Sequence, residues 1–423
     1  MNLLGWDTAY AVRIDAANDA LAAASANLIP GFQATVEGQL GTFRIDVVFG
    51  AWNIITGGGS GTLLNLAITF QSGTVTASSG ATIDVDGAVA LMQVSLALLP
   101  NPAANAHALM FSFRTAGVIG GPGGDGVVLP LGFQSNPPPQ DIQALVLNAM
   151  AQALVGQAAS LSFVFASINP VNPGSPTWLA PKNTGYAYFE LGDPKVGYLA
   201  ILSTAGSMDN LPRQCDPALV NGGASAAGFA FSIPLYFQNV VLPALVSVLP
   251  GHPSVLSVGT GAATTITQDP GTSIGIGSFK KGAITYYPQM KRFVATAQTN
   301  NLNIQASGDC DFYAGLSGSW SITANNAFAF DPQNATIGFS ADPHPSAGYD
   351  IDIPWYWWML GPVIYGICAA VVSLIAKGLA NDLSRAIGGG LLPAAPPASV
   401  DFAGTSGFVV CSVQMQGAIV LNS

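Results

Sequence analysis

Along the chain, stretches with apolar residues at helical spacing are separated by longer stretches in which apolar and polar residues alternate, and the sequence runs through this layout twice. Thr8 to about Leu28 is rich in Ala and sets Tyr10, Ile14, Ala17, Leu21 and Leu28 near one face, which predicts an amphipathic helix closed by Pro30-Gly31. From Gly31 to about Leu131, segments such as Thr42 to Val47 and Ala106 to Phe113 predict strands punctuated by Gly-rich turns. Pro137-Pro138-Pro139 stops that run. A second helix is predicted from about Gln140 to Gln157, followed by aromatic-rich strand patterns over Leu161 to Ala205.

The second block opens after a Gly-rich joint between Gly222 and Gly228. Ile233 to Leu249 predicts a third helix, kinked or restarted at Pro243, because proline has no N–H to donate and its ring crowds the preceding turn. Strand patterns then run from about Val255 to Ser340. A fourth helix is predicted over about Trp355 to Ile387, and an alternating stretch from Ser399 to Leu421 ends the sequence. The repeat is one of architecture rather than of motif. It predicts an α+β protein in two halves, 1–221 and 222–423, each built as helix, antiparallel meander, helix and returning strands.

The run Trp355 to Ala376 holds no charge and is long enough to cross a bilayer. Its flanks fit a span, with Asp350 and Asp352 before it and Lys377 and Arg385 after it. Gly361-Pro362 and the one-sided continuation through Leu379, Leu383 and Ile387 fit a buried helix wrapped by a sheet instead. A span here would also divide the final strand from its sheet partners across a membrane. The expectation is a buried helix and no transmembrane span.

Composition sharpens the picture. Only 8% of the 423 residues are charged and half are hydrophobic, with a mean hydropathy of +0.44, which excludes a disordered chain. Twelve Lys and Arg against 22 Asp and Glu give a net charge of −10, the wrong sign for wrapping a nucleic acid. Glu37 and Glu190 are the only glutamates, so the helices must rest on packing rather than on Glu–Lys pairs. Cys215, Cys310, Cys368 and Cys411 form no CxxC and read as buried thiols. No basic and apolar leader of secretory type opens the sequence, so synthesis in the cytoplasm is expected, with release or an extracellular complex left open.

Candidate chemistry is sparse. His107, His252 and His344 are scattered, no metal-ligand spacing occurs, and Gly121, Gly123 and Gly126 match GxGxxG only with Pro122 inside the motif and a strand pattern after it. The expectation is a protein without catalytic residues, metal or cofactor. Lys280, Lys281, Lys291 and Arg292 gather among Phe279, Tyr286, Tyr287 and Phe293. They read either as contacts to an anionic headgroup or as a solvated hairpin.

The opening residues Gly5-Trp6-Asp7, the segment Ala51-Trp52-Asn53-Ile54, the expected turn Gly57-Gly58-Gly59-Ser60 leading to Leu63, Leu64 and Leu66, and the mid-chain FAFSIPLYFQNVVLPAL resemble the forty-seven-kilodalton accessory proteins of OrfX-type botulinum neurotoxin gene clusters. The resemblance implies the tubular lipid-binding (TULIP) superfamily. Its fold is a strongly curved antiparallel sheet rolled around long helices, with an apolar groove and no catalytic residues to carry over. This chain is poorer in Lys and Glu than that family leads one to expect. The leading expectation is a groove that takes an apolar small molecule such as a lipid, lined by Met150 and Leu154 on the second helix, Phe237 and Leu245 on the third, and Trp355, Trp358, Ile364 and Val371 on the fourth. Each is equally a candidate for plain core. The alternative is an accessory or scaffold subunit with a filled interior, whose protein partners are encoded in the same gene cluster.

Overall fold

The computed structural model describes the chain apart from residues 39–40, 102–105, 169–175, 250–252, 282, 313–315, 353–367, 374, 382–391, 394–398 and 406–407. Its contacts divide the chain into two units. The first comprises Asn2–Phe229, Pro396–Val409 and Asn422–Ser423, and the second Met1, Ala230–Ala395 and Val410–Leu421. The chain passes between them at Phe229/Ala230 and returns to the first unit late in the sequence.

In the first unit a large sheet takes its strands nearly in chain order: Gly31–Gly38, Gly41–Ser60, Leu63–Ala77, Val89–Asn101, Ala106–Ser112, Val164–Ile168 and the late strand Val400–Phe402. Register shifts between Val48 and Phe49, Phe49 and Trp52, and Ile55 and Ser60 bend its longest strand, since an unpaired extra residue kinks the strand that carries it. Helix α1 (Ile14–Ala23) packs on that strand, where the Asn18 side chain imitates a strand neighbour. Its amide donates to the Ile54 carbonyl at 3.0 Å and accepts from the Ile54 N–H at 2.8 Å. Helix α2 (Gln140–Gly156) packs on Gly31–Gly38 and Val127–Ser135, burying Ile142, Val146, Leu147, Met150 and Leu154, each worth roughly 1.5–3 kcal/mol.

Two local expectations are corrected here. Thr8–Arg13, expected in the first helix, is a strand paired antiparallel with Val196–Thr204, Tyr10 opposite Ile201 and Val12 opposite Leu199. Five of its six residues are buried, so its alanines and valine serve a strand covered on both sides, a pattern that helical spacing in an Ala-rich segment does not distinguish. Gly57 to Ser60, expected as a turn, continue the strand Gly41–Ser60. The N–H groups of Gly57 and Gly59 donate to the Glu190 carboxylate at 2.9 and 3.3 Å, and the turn follows at Gly61 and Thr62.

The second unit repeats the order of helix, meander, helix. Its opening helix runs without a break through α3 (Ile233–Tyr236), a π-helical stretch Phe237–Val241 and α4 (Leu242–Val248). Pro243 has no N–H to donate inside this continuous helix, and the wider π-turn before it makes room for the ring. Asn239 closes the ladder by donating its side-chain amide to the Leu235 carbonyl at 2.8 Å. The sheet follows as Leu256–Thr260, Thr264–Gln268, Gln289–Gln298, Asn301–Asp311, Ser317–Asp331 and Thr336–Phe339.

Residues 368–373 and 375–381 are helical. Cys368, Val371, Val372, Ile375 and Ala376 are buried, and Val372 lies so close to Gly318 that a Cβ there would sit 3.0 Å from it. The described end of the apolar run therefore packs within its own unit. No helix among the described residues is long and apolar enough to cross a membrane. The expectation of long helices is corrected as well: the longest described helix, α2, has 17 residues, and the architecture is mostly β-sheet with few helices. Strand-to-strand burial of alternate side chains holds it together, and short helices suffice to cover the sheet faces.

Candidate functional site

Of the eight residues expected to line a groove, five are among the described residues. Met150, Leu154, Phe237 and Leu245 are fully buried and Val371 nearly so, and none borders any cavity described below. Trp355, Trp358 and Ile364 lie outside the described residues. Of the expected headgroup contacts, Lys280 is exposed on the hairpin formed by Phe279–Lys281 and Ile284–Tyr286, and Arg292 is exposed on the strand Gln289–Gln298. Lys291 is half exposed, 3.7 Å from the Asp309 carboxylate. The Lys281 side chain is outside the description. Lys280 shares its hairpin with the exposed Ile284, whereas Lys291 and Arg292 lie on a strand of a different sheet.

An open hollow borders the end of α1 at a different place. In the first unit, Ala20, Ala23 and Ala24 at the end of α1 face Ser162, Phe163 and Val164 at the start of one strand and Ala403 and Gly404 beyond another, around a space of about 510 Å³. Small side chains on the helix leave the space, and large ones underneath make it apolar. Phe163 meets Phe165 edge-on at 4.8 Å, Phe165 meets Phe111 at 4.8 Å, and Phe111 meets Trp52 at 5.8 Å. Gly404 has a positive φ of 76°, and any Cβ there would overlap the Ala16 carbonyl, so only glycine lets the chain approach the helix this closely.

A neighbouring hollow of about 300 Å³ shares Asp19 and Gly404 with this groove and continues it along α1 towards Tyr10, Phe408 and Arg13. Burial, with the Asp401 charge adding to it, pushes the Tyr10 hydroxyl up to about 12, so that wall stays neutral in the ordinary pH range. Arg13 pairs with Asp15. With Asp19 on the rim, the side chains lining the two hollows carry one net negative charge.

A third cavity in the first unit, about 500 Å³, is polar. His107, Asp125, Lys182, Tyr186 and Arg213 border it. In the second unit a cavity of about 630 Å³ lies over Ser307, Gly308, Asp309, Ser319 and Ser321, with Lys291 at one side and Tyr349 at another. No group of three or more His, Cys, Asp or Glu side chains among the described residues could hold a metal ion.

A family model described as OrfX-like, protein OrfX2/OrfX3/P47, matches residues 3–389. The chain belongs to the OrfX-like family. Among solved structures it is similar to P47 from Clostridium botulinum A2, with a TM-score of 0.76 at 20% identity over 100% of this chain and 98% of that one. It is similar also to P47 of Clostridium botulinum E1, with a TM-score of 0.75 at 18% identity over 99% and 98% of the two chains. At such identities the likeness speaks for the fold. None of the curated proteins compared with the chain matches it.

Apolar periodicity selects the bulkiest helix faces, and the five described residues it singles out in this OrfX-like chain are buried. The groove was marked instead by their opposite, the run of alanines near the end of α1. The sequence does not show that Phe163 and Gly404 stand opposite those alanines. Arg213 was overlooked too, although in a chain with twelve Lys and Arg each isolated cation carries information.

Proposed function

We propose that this OrfX-like protein is a non-catalytic binding protein for apolar chains, and that the groove along α1 is where such a chain lies. The observation that carries the reading is the apolar, 510 Å³ space between alanines of a helix and an aromatic-backed sheet edge. A methylene removed from water contributes about 0.8 kcal/mol. A twelve-carbon tail half shielded in an open groove therefore gains about 5 kcal/mol before association costs, so binding is weak and exchangeable. The one net negative charge along the rim offers nothing to an anionic headgroup, so the groove selects for chain.

Titration with a fluorescent fatty acid, alongside mass spectrometry of lipid extracted from the purified protein, tests this. Wild-type protein is expected to take up the probe, and Ala23→Trp, which fills the groove from an exposed helix position, to abolish uptake. Uptake that persists in that variant, or none in the wild type, overturns the proposal.

The second reading is an accessory or scaffold subunit, favoured by a specific observation: Met150, Leu154, Phe237, Leu245 and Val371, the described positions expected to line a tube, are buried. Recovery of a stable complex with the products of neighbouring genes, unaffected by Ala23→Trp, would support it.

A further inference from the structure

We propose that the polar cleft of the first unit is an oxyanion site that takes phosphate, free or as the monoester of a small molecule, through Arg213, Lys182 and His107. In a protein of net charge −10, basic side chains ordinarily have acidic neighbours. Here two of the twelve Lys and Arg and one of three histidines border a single cavity of about 500 Å³. Among the described residues neither Arg213 nor Lys182 is in an ion pair.

Arg213 is held in place by its flanks. Its guanidinium carbon lies 5.3 Å from the centroid of the Trp6 ring, within cation–π range. Trp6 is itself buried and anchored by its indole N–H, which donates to the Pro212 carbonyl at 2.9 Å. The guanidinium also occupies the place where a side chain on Gly185 would begin, so Gly185 is the residue that permits this position. An arginine fixed by stacking while unpaired in charge loses little freedom when its N–H fork meets two oxygens of an anion.

The rest of the lining narrows the ligand. Tyr186 at the floor is already satisfied: it accepts from the Leu96 N–H at 2.8 Å and lies 2.8 Å from the Thr62 carbonyl and 2.9 Å from that of Leu96. Asp125, the acid in the lining, accepts from the Thr62 hydroxyl at 2.6 Å. Lys182 and Arg213 against Asp125 leave an excess of positive charge, which a compact multiply charged oxyanion uses better than a carboxylate does. None of these residues belongs to the α1 groove, so the two sites stand or fall separately.

The test is calorimetric titration of the full chain at low ionic strength with inorganic phosphate, glycerol phosphate and acetate. Wild type is expected to bind phosphate saturably and acetate at least tenfold more weakly. Arg213→Gln should weaken phosphate binding tenfold or more, and Lys182→Gln, which changes an exposed side chain, severalfold. Asp125→Asn should tighten it, since a repelling charge is removed. Tighter binding of the monoester assigns the site to a phosphorylated small molecule, and equal binding to the free ion; both uphold the oxyanion site. No saturable binding to wild type, an unchanged affinity in Lys182→Gln, or weaker binding in Asp125→Asn overturns it.

Discussion

The helices that open the two units occupy the same place in the element order and both bury large side chains, but α1 ends in alanines. α1 presents Ala20, Ala23 and Ala24 to the end of its sheet and leaves a groove. The α3–π–α4 helix presents Tyr236, Phe237, Val241 and Leu245, all buried, and Tyr236 reaches Phe339 of the sheet with ring centroids 6.2 Å apart. With layout held constant, side-chain volume alone separates an open helix–sheet junction from a filled one. Close packing leaves no middle course, since a missing side chain becomes a space and an added one a clash.

The sharpest way to break this comparison is Phe237→Ala. Removing a fully buried ring should cost about 3–5 kcal/mol in urea unfolding, and the hollow it leaves should begin to bind apolar probes as the first unit does. A loss below about 1 kcal/mol would mean that the second unit is not filled as described.

Next in size is Glu190→Gln, which attacks the Gly57 to Gly59 segment in the first unit. The side chain of Glu190 is 6% exposed and lies 3.2 Å from the Lys195 ammonium. Burial alone would raise its pKa, but the Gly57 N–H, Lys195 and the Tyr188 hydroxyl together outweigh burial and lower it. A carboxyl whose folded value lies below its unfolded value, near 4.3, stabilises above that pH and loses the contribution as pH falls through the folded value. The variant should lose about 1–3 kcal/mol at neutral pH and show a flatter acid limb of stability than wild type.

Ala23→Trp should shift stability by no more than about 0.5 kcal/mol while removing the groove, so that stability and uptake separate in the first unit and move together in the second. Thiol labelling is the mildest probe. Burial, aided by Asp216, pushes Cys215 up to about 12, and burial, aided by Asp311, pushes Cys310 up to about 11. Both should react slowly in the native protein, whereas Cys411, expected from sequence to be buried, is exposed and should react first.

Elements with strong local signals were legible. The predicted helix from Gln140 ends within a residue of α2, and the break expected at Pro243 is met by a π-turn. The strand signals over Thr42 to Val47 and Ala106 to Phe113 fall in strands, and the family resemblance carried by the first 75 residues and by the Pro-containing mid-chain helix agrees with the OrfX-like match. Thr8–Arg13 was not legible, because alanine accepts either backbone and the partner strand at 196–204 lies far along the chain. The candidate sites were the least legible. Fully buried Met150 and Leu154 and groove-facing residues carry the same hydrophobic signature, and only the volume around them differs.

By itself the sequence determined the doubled order of helix and meander, the lack of charge that makes packing the main source of stability, and the irregular helical turn before Pro243. All of these follow from preferences of residues near one another in the chain. Tertiary structure alone decided that the first predicted helix begins as a strand, that Gly404 abuts α1, and that Arg213 rests on Trp6 and Gly185 beside Lys182. Such juxtapositions depend on the space left between segments distant in sequence, and that space is set only when the sheets have closed upon their helices.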